Sequence, residues 1–524
     1  MYDYVIVGAG SAGCVLAAQL SEDPDVKVCL IEAGPADTSE NVHIPSAFGK
    51  LFRTQVDWDY DTHDEPFCER RRIYLPRGRM LGGTSSMNAM VYMRGNRIDY
   101  DGWGQPGWTY DELLPYFVRA EDNERGASEY HGAGGPLAVS DGRSINPMTE
   151  AFVAAALEAG YAANDDFNGS TQDGFGQYQV TQRDGQRCST AVGYLRPAMG
   201  RPNLTVETNV QIHRVLFEGS RARGVVGYRL ETELEFRADR EVILSAGAYN
   251  SPQLLMLSGV GPADLLRPLG IPVVLDQPQV GQNLQDHPQT PLIFAHSHPI
   301  SLLAAGEPES VRQYTEHRRG PLTSNGPEVG GFVRTTADLA APNIQFHTAP
   351  MMFADGGLHP PIAHAISFGG CVLDGRSRGS VLLASDDPTA KPAIRHNYFA
   401  EEADLQVAVD GLRVGLEIAR QQALAPYTET PFMPPASESE ADLRAHVRQH
   451  SQTLYHPAGT CAMGTVVDAE LRVVGVDGLR VVDASVMPTL VRGNTNAPVI
   501  AIAEKAADVI RGRAALTTPT TLAA

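Results

Sequence analysis

The chain has 524 residues, of which 62 are acidic and 42 basic, for a formal net charge of −20. That balance argues against nucleic acid as a partner, since its phosphates would be repelled, and a chain this long buries a core without disulfide or metal staples. The six cysteines are scattered with no C-x-x-C pair, which speaks against zinc and redox-dithiol sites and fits a reducing, cytoplasmic compartment.

An apolar strand, Tyr4-Val5-Ile6-Val7, starts close to Met1, so no charged leader is expected. No apolar run approaches the roughly 18 residues of a membrane helix, so no membrane association is expected. The strand ends at Val7 in the turn Gly8-Ala9-Gly10-Ser11-Ala12-Gly13, and a helix follows with Ala12, Val15, Leu16 and Leu20 on one face. A second strand, Lys27 to Ile31, delivers Glu32 at its end. The stretch 36–110 is rich in Gly, Pro and Arg, and a long excursion of this kind inside a compact domain is usually functional. Glu241-Val242-Ile243-Leu244 and Leu479-Arg480-Val481-Val482-Asp483 read as strands that return to the first unit. Pro498 to Arg511 reads as a helix, with Val499, Ile500, Ile502, Ala503, Ala506 and Ile510 as its apolar positions. The mixed patterns of 150–200 and 290–450 predict a second domain laid over the first. The expected division is a discontinuous first domain (1–150, 200–290 and 450–515), a second domain (151–199 and 291–449) and a mobile tail (516–524).

The turn is a G-x-G-x-x-G fingerprint in its proper setting of strand, helix, strand and acid. Its first glycine permits the tight turn, its second lets a pyrophosphate approach the backbone, and its third lets helix and strand pack closely. The helix N-terminus then offers free N–H groups to the phosphates, and Glu32 lies where a carboxylate accepts hydrogen bonds from a ribose. Gly132-Ala133-Gly134-Gly135 lacks a preceding apolar strand, so a single bound dinucleotide is expected.

The run Gly78-Arg79-Met80-Leu81-Gly82-Gly83-Thr84-Ser85-Ser86-Met87-Asn88, continuing through Tyr92, Gly95 and Asp99, resembles the first signature of the glucose–methanol–choline (GMC) oxidoreductase family. Gly247-Ala248-Tyr249-Asn250-Ser251-Pro252-Gln253-Leu254-Leu255, ending Ser258-Gly259-Val260-Gly261, resembles the second. Gly281 to Pro288, Tyr455-His456-Pro457-Ala458-Gly459-Thr460, and Gly493-Asn494-Thr495-Asn496-Ala497-Pro498 look like further family stretches, in family order. The resemblance implies an α/β fold: a Rossmann-like FAD-binding domain with a second, α+β substrate-binding domain built on an antiparallel sheet. It implies FAD, met by Gly8, Gly10, Ser11, Ala12, Gly13, Glu32 and Ala33 at the turn. Trp58, Arg79, Gly82, Gly83, Ser85, Asn88, Ala89, Met90 and Val91 would meet it from the excursion, although Trp58 reads nearly as well as a core residue. Val210, Ala246, Tyr455, Asp483, Ala484, Asn494 and Thr495 complete the expected set. Some members attach FAD through a histidine in the excursion; the matching position here is Met87, so a non-covalent cofactor is expected.

Oxidising an alcohol removes a hydride from carbon and a proton from oxygen, and the proton needs a base with a pKa near working pH. Of fifteen histidines, His456 matches the family's catalytic histidine. Asn496 resembles the second catalytic position, where it would donate a hydrogen bond to the substrate oxygen, while Asn494 reads equally as a helix cap. Asp286-His287 reads as a structural turn, Cys461 as a buried spectator thiol, and Arg70-Arg71-Arg72 as a solvated or ion-paired run. Met351-Met352-Phe353 would suit an apolar substrate if it lined the site, but reads more readily as plain core. The resemblance thus implies oxidation of a primary or benzylic alcohol to the carbonyl, with oxygen or another acceptor taking the electrons, in a monomer or homodimer. A hydroxynitrile lyase that keeps FAD without redox turnover is the rival reading.

Overall fold

The computed structural model describes residues 1–517 and builds them around two sheets. In the first, the parallel strands Leu204–Glu207, Val28–Ile31, Tyr2–Val7 and Thr232–Leu244 lie side by side, and Leu479–Val481 joins the last of them. Val28, Cys29, Leu30 and Ile31 are all buried, as expected of a parallel strand covered on both faces. The helix Ser11–Leu20 is likewise buried almost all round, because the closing helix Asn496–Ile510 packs across it. The strand expected at 241–244 is the end of a much longer one, Thr232–Leu244. Its first half pairs antiparallel with Arg221–Arg229, which pairs with Gln211–Glu218, and its exposed Glu233 and Glu235 and half-buried Arg237 give no continuous apolar signal.

The second sheet is antiparallel, in the order Thr430–Phe432, Pro288–Ala295, Ala365–Val372, Ile344–Ala349, Val329–Val333, Gly174–Gln177, with Gln452–Thr453 also pairing on Pro288–Ala295. The helix Glu402–Ala419 covers one face, its Gly411 and Gly415 letting it settle on Ile344, Leu292 and Phe346. The fold is thus an α/β dinucleotide-type domain with a second, sheet-based one. No helix among the described residues is long and apolar enough to cross a membrane. The tail expected at 516–524 lies outside the described residues from 518 onward, while Leu516 packs against the first core.

The excursion is anchored by a buried ion pair. Arg94 Nη2 lies 2.7 Å from Glu121 Oε2, and both side chains are sealed from solvent. Gly132 N also donates to Glu121, at 2.8 Å, and a Cβ on Gly132 would stand 1.9 Å from Val118 O, so glycine is needed there with no nucleotide to bind. Removing one partner of such a pair strands a buried charge. Arg94→Met is therefore expected to lower stability by about 3–5 kcal/mol, read from chemical denaturation midpoints at constant slope.

Candidate active site

A long cleft runs from the glycine turn to the second sheet, and its first part is made mostly of backbone. A Cβ placed on Gly13 would stand 1.9 Å from the carbonyl oxygen of Gly8, so only glycine lets the helix start against the strand. Gly83, at φ +52°, approaches so closely that its Cβ would meet Gly10 Cα at 2.7 Å, and Gly82 N donates to Ala9 O at 2.7 Å. A Cβ on Gly10, by contrast, would meet nothing closer than Ser245 O at 3.9 Å; that glycine presents bare backbone to open space. Glu32 accepts from Ala9 N and Gly34 N, each at 2.9 Å, and burial raises its carboxyl to about 7 despite these donors. The loop beyond is held by Arg187, wholly buried, which donates to Val42 O, Ser85 O, Asn88 O and Asn88 Oδ1. Asp483 accepts from Gly247 N, Ser251 Oγ and Ser485 N, tying the two remaining walls together. Bare glycine backbone, a helix N-terminus and a buried acid suit a diphosphate and a ribose, so the residues present fit FAD.

The far end of the cleft centres on His456. Tyr455 takes a left-handed conformation, φ +70°, and its carbonyl receives Arg77 Nη2 at 2.7 Å; this strained turn swings the next residue into the cleft. Asp286 Oδ1 accepts the backbone N–H of His456 at 2.8 Å and that of His287 at 2.9 Å, so one carboxylate sets two histidines. Their Nδ1 atoms face each other at 2.9 Å. On the other side, Asn494 Nδ2 lies 3.2 Å from His456 Nε2 and 3.4 Å from His347 Nε2, while Gln345 Nε2 donates to Asn494 Oδ1 at 3.0 Å. With its oxygen occupied, the Asn494 amide can only donate to the two imidazoles. His456 Nε2 is thereby an acceptor, and its Nδ1 carries the proton given to His287. Burial, then the neighbouring His287, His347 and Arg77, hold His456 well below the usual histidine range. The arrangement is a neutral imidazole with an available lone pair, beside a fixed amide donor.

Nearly all the residues expected from the sequence line this cleft. Gly13, Arg79 and Gly82 do not: the two glycines serve close packing, and the Arg79 guanidinium lies 5.0 Å over Trp58, which itself borders the cleft. Asn496 lines the cleft but accepts from Ser11 Oγ at 2.7 Å, and it is Asn494 that meets His456. The cap of the closing helix is Thr495, so Asn494 is free of that duty. Asp286-His287, read as a turn, directly supports His456. Met351 and Phe353 line the cleft while Met352 packs into an apolar cluster. Cys461 is buried, and Arg70 pairs with Asp64 at 3.2 Å while Arg71 and Arg72 donate to backbone carbonyls. Phe48, Phe52, Arg77, Met87 and His347 also border the cleft. The alternation Ile344-Gln345-Phe346-His347 was the available signal for His347, since it turns the polar pair away from the core face.

Family models described as GMC oxidoreductase match residues 2–289 and 375–503. The chain is 44% identical to the mitochondrial choline dehydrogenase of Mus musculus, covering 98% of this chain and 90% of that one. It is 43% identical to an alcohol dehydrogenase [acceptor] of Pseudomonas putida, covering 97% and 96%. Among solved structures, pyridoxine 4-oxidase from Mesorbium loti superimposes with a TM-score of 0.90 at 33% identity, covering 98% of this chain and 100% of that one.

Two measurements separate the roles of the site residues. Asn494→Ala is expected to slow substrate-dependent flavin reduction by about 10²–10³-fold, the cost of losing one preorganised donor. Asn496→Ala should leave that rate within a few-fold and instead weaken FAD retention. With His456 as the expected base and its pKa depressed, the reduction rate should stay flat from pH 8 down through 6.5. It should fall only below that, as protonation finally takes the lone pair.

Proposed function

We propose, from the premise that this chain belongs to the GMC oxidoreductase family and oxidises alcohols with FAD, that His456 takes the hydroxyl proton of the substrate. The carrying observation is the facing pair of His456 Nε2 and Asn494 Nδ2 at 3.2 Å on the cleft wall. An alcohol oxygen seated against this pair gives its proton to Nε2 and receives a hydrogen bond from the amide as negative charge develops. Asn494 thus takes the second position that the sequence pattern suggested for Asn496. Bound FAD supplies the hydride acceptor at its N5. Gln345 keeps the amide in its donating orientation, and the N-terminus of Asn496–Ile510, on the cleft wall, favours negative charge on whatever lies before it.

The finer features follow the same reasoning. Met87 lines the cleft, and the run 77–91 holds no histidine or cysteine, which supports a non-covalent FAD. The FAD-binding part comprises 1–150, 200–290 and 450–515, and the substrate part 151–199 and 291–449. A primary or benzylic alcohol suits a base end walled by Phe48, Phe52, Met351, Phe353 and Leu454. Six free, buried thiols suit a cytoplasmic setting.

The test is anaerobic mixing of the FAD-loaded protein with a panel of alcohols while flavin absorbance is followed. Bleaching by a primary or benzylic alcohol, slowed about 10²–10⁴-fold in His456→Ala, is the expected result; equal bleaching in the variant overturns the role of His456. Admitting air then separates the acceptors: fast recovery of colour with peroxide marks oxygen, slow recovery another acceptor.

A further inference from the structure

The proton that His456 accepts has to leave it. Burial holds His456 and His287 below the ordinary histidine range, His287 at about 4, so neither is a resting place for a charge. The way back is poor, since substrate occupies the cleft and its wall carries the Arg77 guanidinium. Behind the pair lies a second cavity, of about 270 Å³, whose wall includes Asp99, Asp286, Leu373, Asp374, Arg378 and Arg492. It opens to water at the exposed Asp374 and Thr489.

His456 lines the cleft, and His287 stands behind it, one residue from Asp286 on the cavity wall. His456 Nδ1 contacts His287 Nδ1 at 2.9 Å, and the rings stand edge-on at 87°. His287 Nε2 is buried without a hydrogen-bond partner of good geometry among the described residues, and it lies against the backbone of Leu373, a wall of the second cavity. Asp286 also borders that cavity, while its Oδ1 fixes both histidine backbones and its Oδ2 is held by Thr453 Oγ1 and Tyr398 Oη, each at 2.5 Å. Other charges near the pair are Arg492, itself salt-bridged to Asp99 and Asp374, and Arg77.

We infer that His287 is a proton relay, and that the second cavity is the exit through which the substrate's hydroxyl proton reaches solvent. The inference rests on His456 as the base. The hydroxyl proton moves to His456 Nε2, the Nδ1 proton of His456 passes to Nδ1 of His287, and the Nε2 proton of His287 goes to cavity water. The hydride leaves the carbon separately with both electrons, so each alcohol oxidised releases one proton. When the final acceptor, oxygen or another, takes up its proton from His456 Nε2, the same hops in reverse restore both tautomers.

Stopped-flow mixing of the FAD-loaded protein with the fastest alcohol of the panel, without oxygen and in weak buffer with a pH-indicator dye, tests this. Flavin bleaching reports the reading of His456 and the dye reports the relay, so a failure of either is seen apart from the other. In the unaltered protein one proton per flavin should appear in step with bleaching. In His287→Gln the dye signal should lag bleaching at least tenfold, whatever rate bleaching keeps. Thr489→Trp, which fills the mouth and touches neither histidine, should delay the dye without altering bleaching. Dye and flavin in step in both variants, or bleaching of the unaltered protein with no proton released, would overturn the relay.

Discussion

Everything in the cofactor end depends on two places where backbone touches backbone with no side chain between. Gly13 against Gly8 sets the helix on its strand, and Gly83 against Gly10 lays the excursion over the turn. Neither contact contributes much energy by itself. Their effect is geometric: they leave the second glycine of the fingerprint as a strip of bare peptide facing open space, which a diphosphate can approach closely. The helix Asn496–Ile510, nearly five hundred residues away in sequence, reaches the same spot because Asn496 accepts from Ser11. Opposite ends of the chain are thereby fastened at the point where the fingerprint opens.

Much of this was legible beforehand because glycines in a strand–turn–helix setting have few other uses. Four of the five parallel strands announced themselves as short apolar runs, all but Leu204–Glu207, and the excursion by its lack of periodicity. The long strand Thr232–Leu244 was seen only in its last four residues, since its outer half alternates charge with apolar residues on a half-exposed face. The second sheet was harder. Its strands are separated by loops and pair out of sequence order, and an order such as the one joining Pro288–Ala295 to both Ala365–Val372 and Gln452–Thr453 leaves no mark on local pattern.

The far end of the cleft shows the same limit at the scale of single residues. His456 could be found from its neighbours Tyr455 and Pro457, but which asparagine faces it could not. Asn494 and Asn496 are two apart and both lie at the entry to the closing helix, where the chain turns from irregular loop to helix. One residue of rotation decides that the first faces His456 and the second faces Ser11. His347 arrives from the strand Ile344–Ala349 and His287 from the segment just before Pro288–Ala295, so only the folded sheet reveals that three imidazoles and one amide form a single hydrogen-bonded array.

The cysteines carry a practical consequence. All six are buried, and burial drives the thiols of Cys14, Cys29 and Cys68 up to about 12 and those of Cys188, Cys371 and Cys461 upward as well. Thiolate is the species that oxidants and alkylating reagents attack, so the six native thiols of the folded protein resist both. A single cysteine introduced on the surface would therefore be the one labelling handle on the molecule. Dyes or electrode tethers can be attached there without first stripping the native thiols from the core.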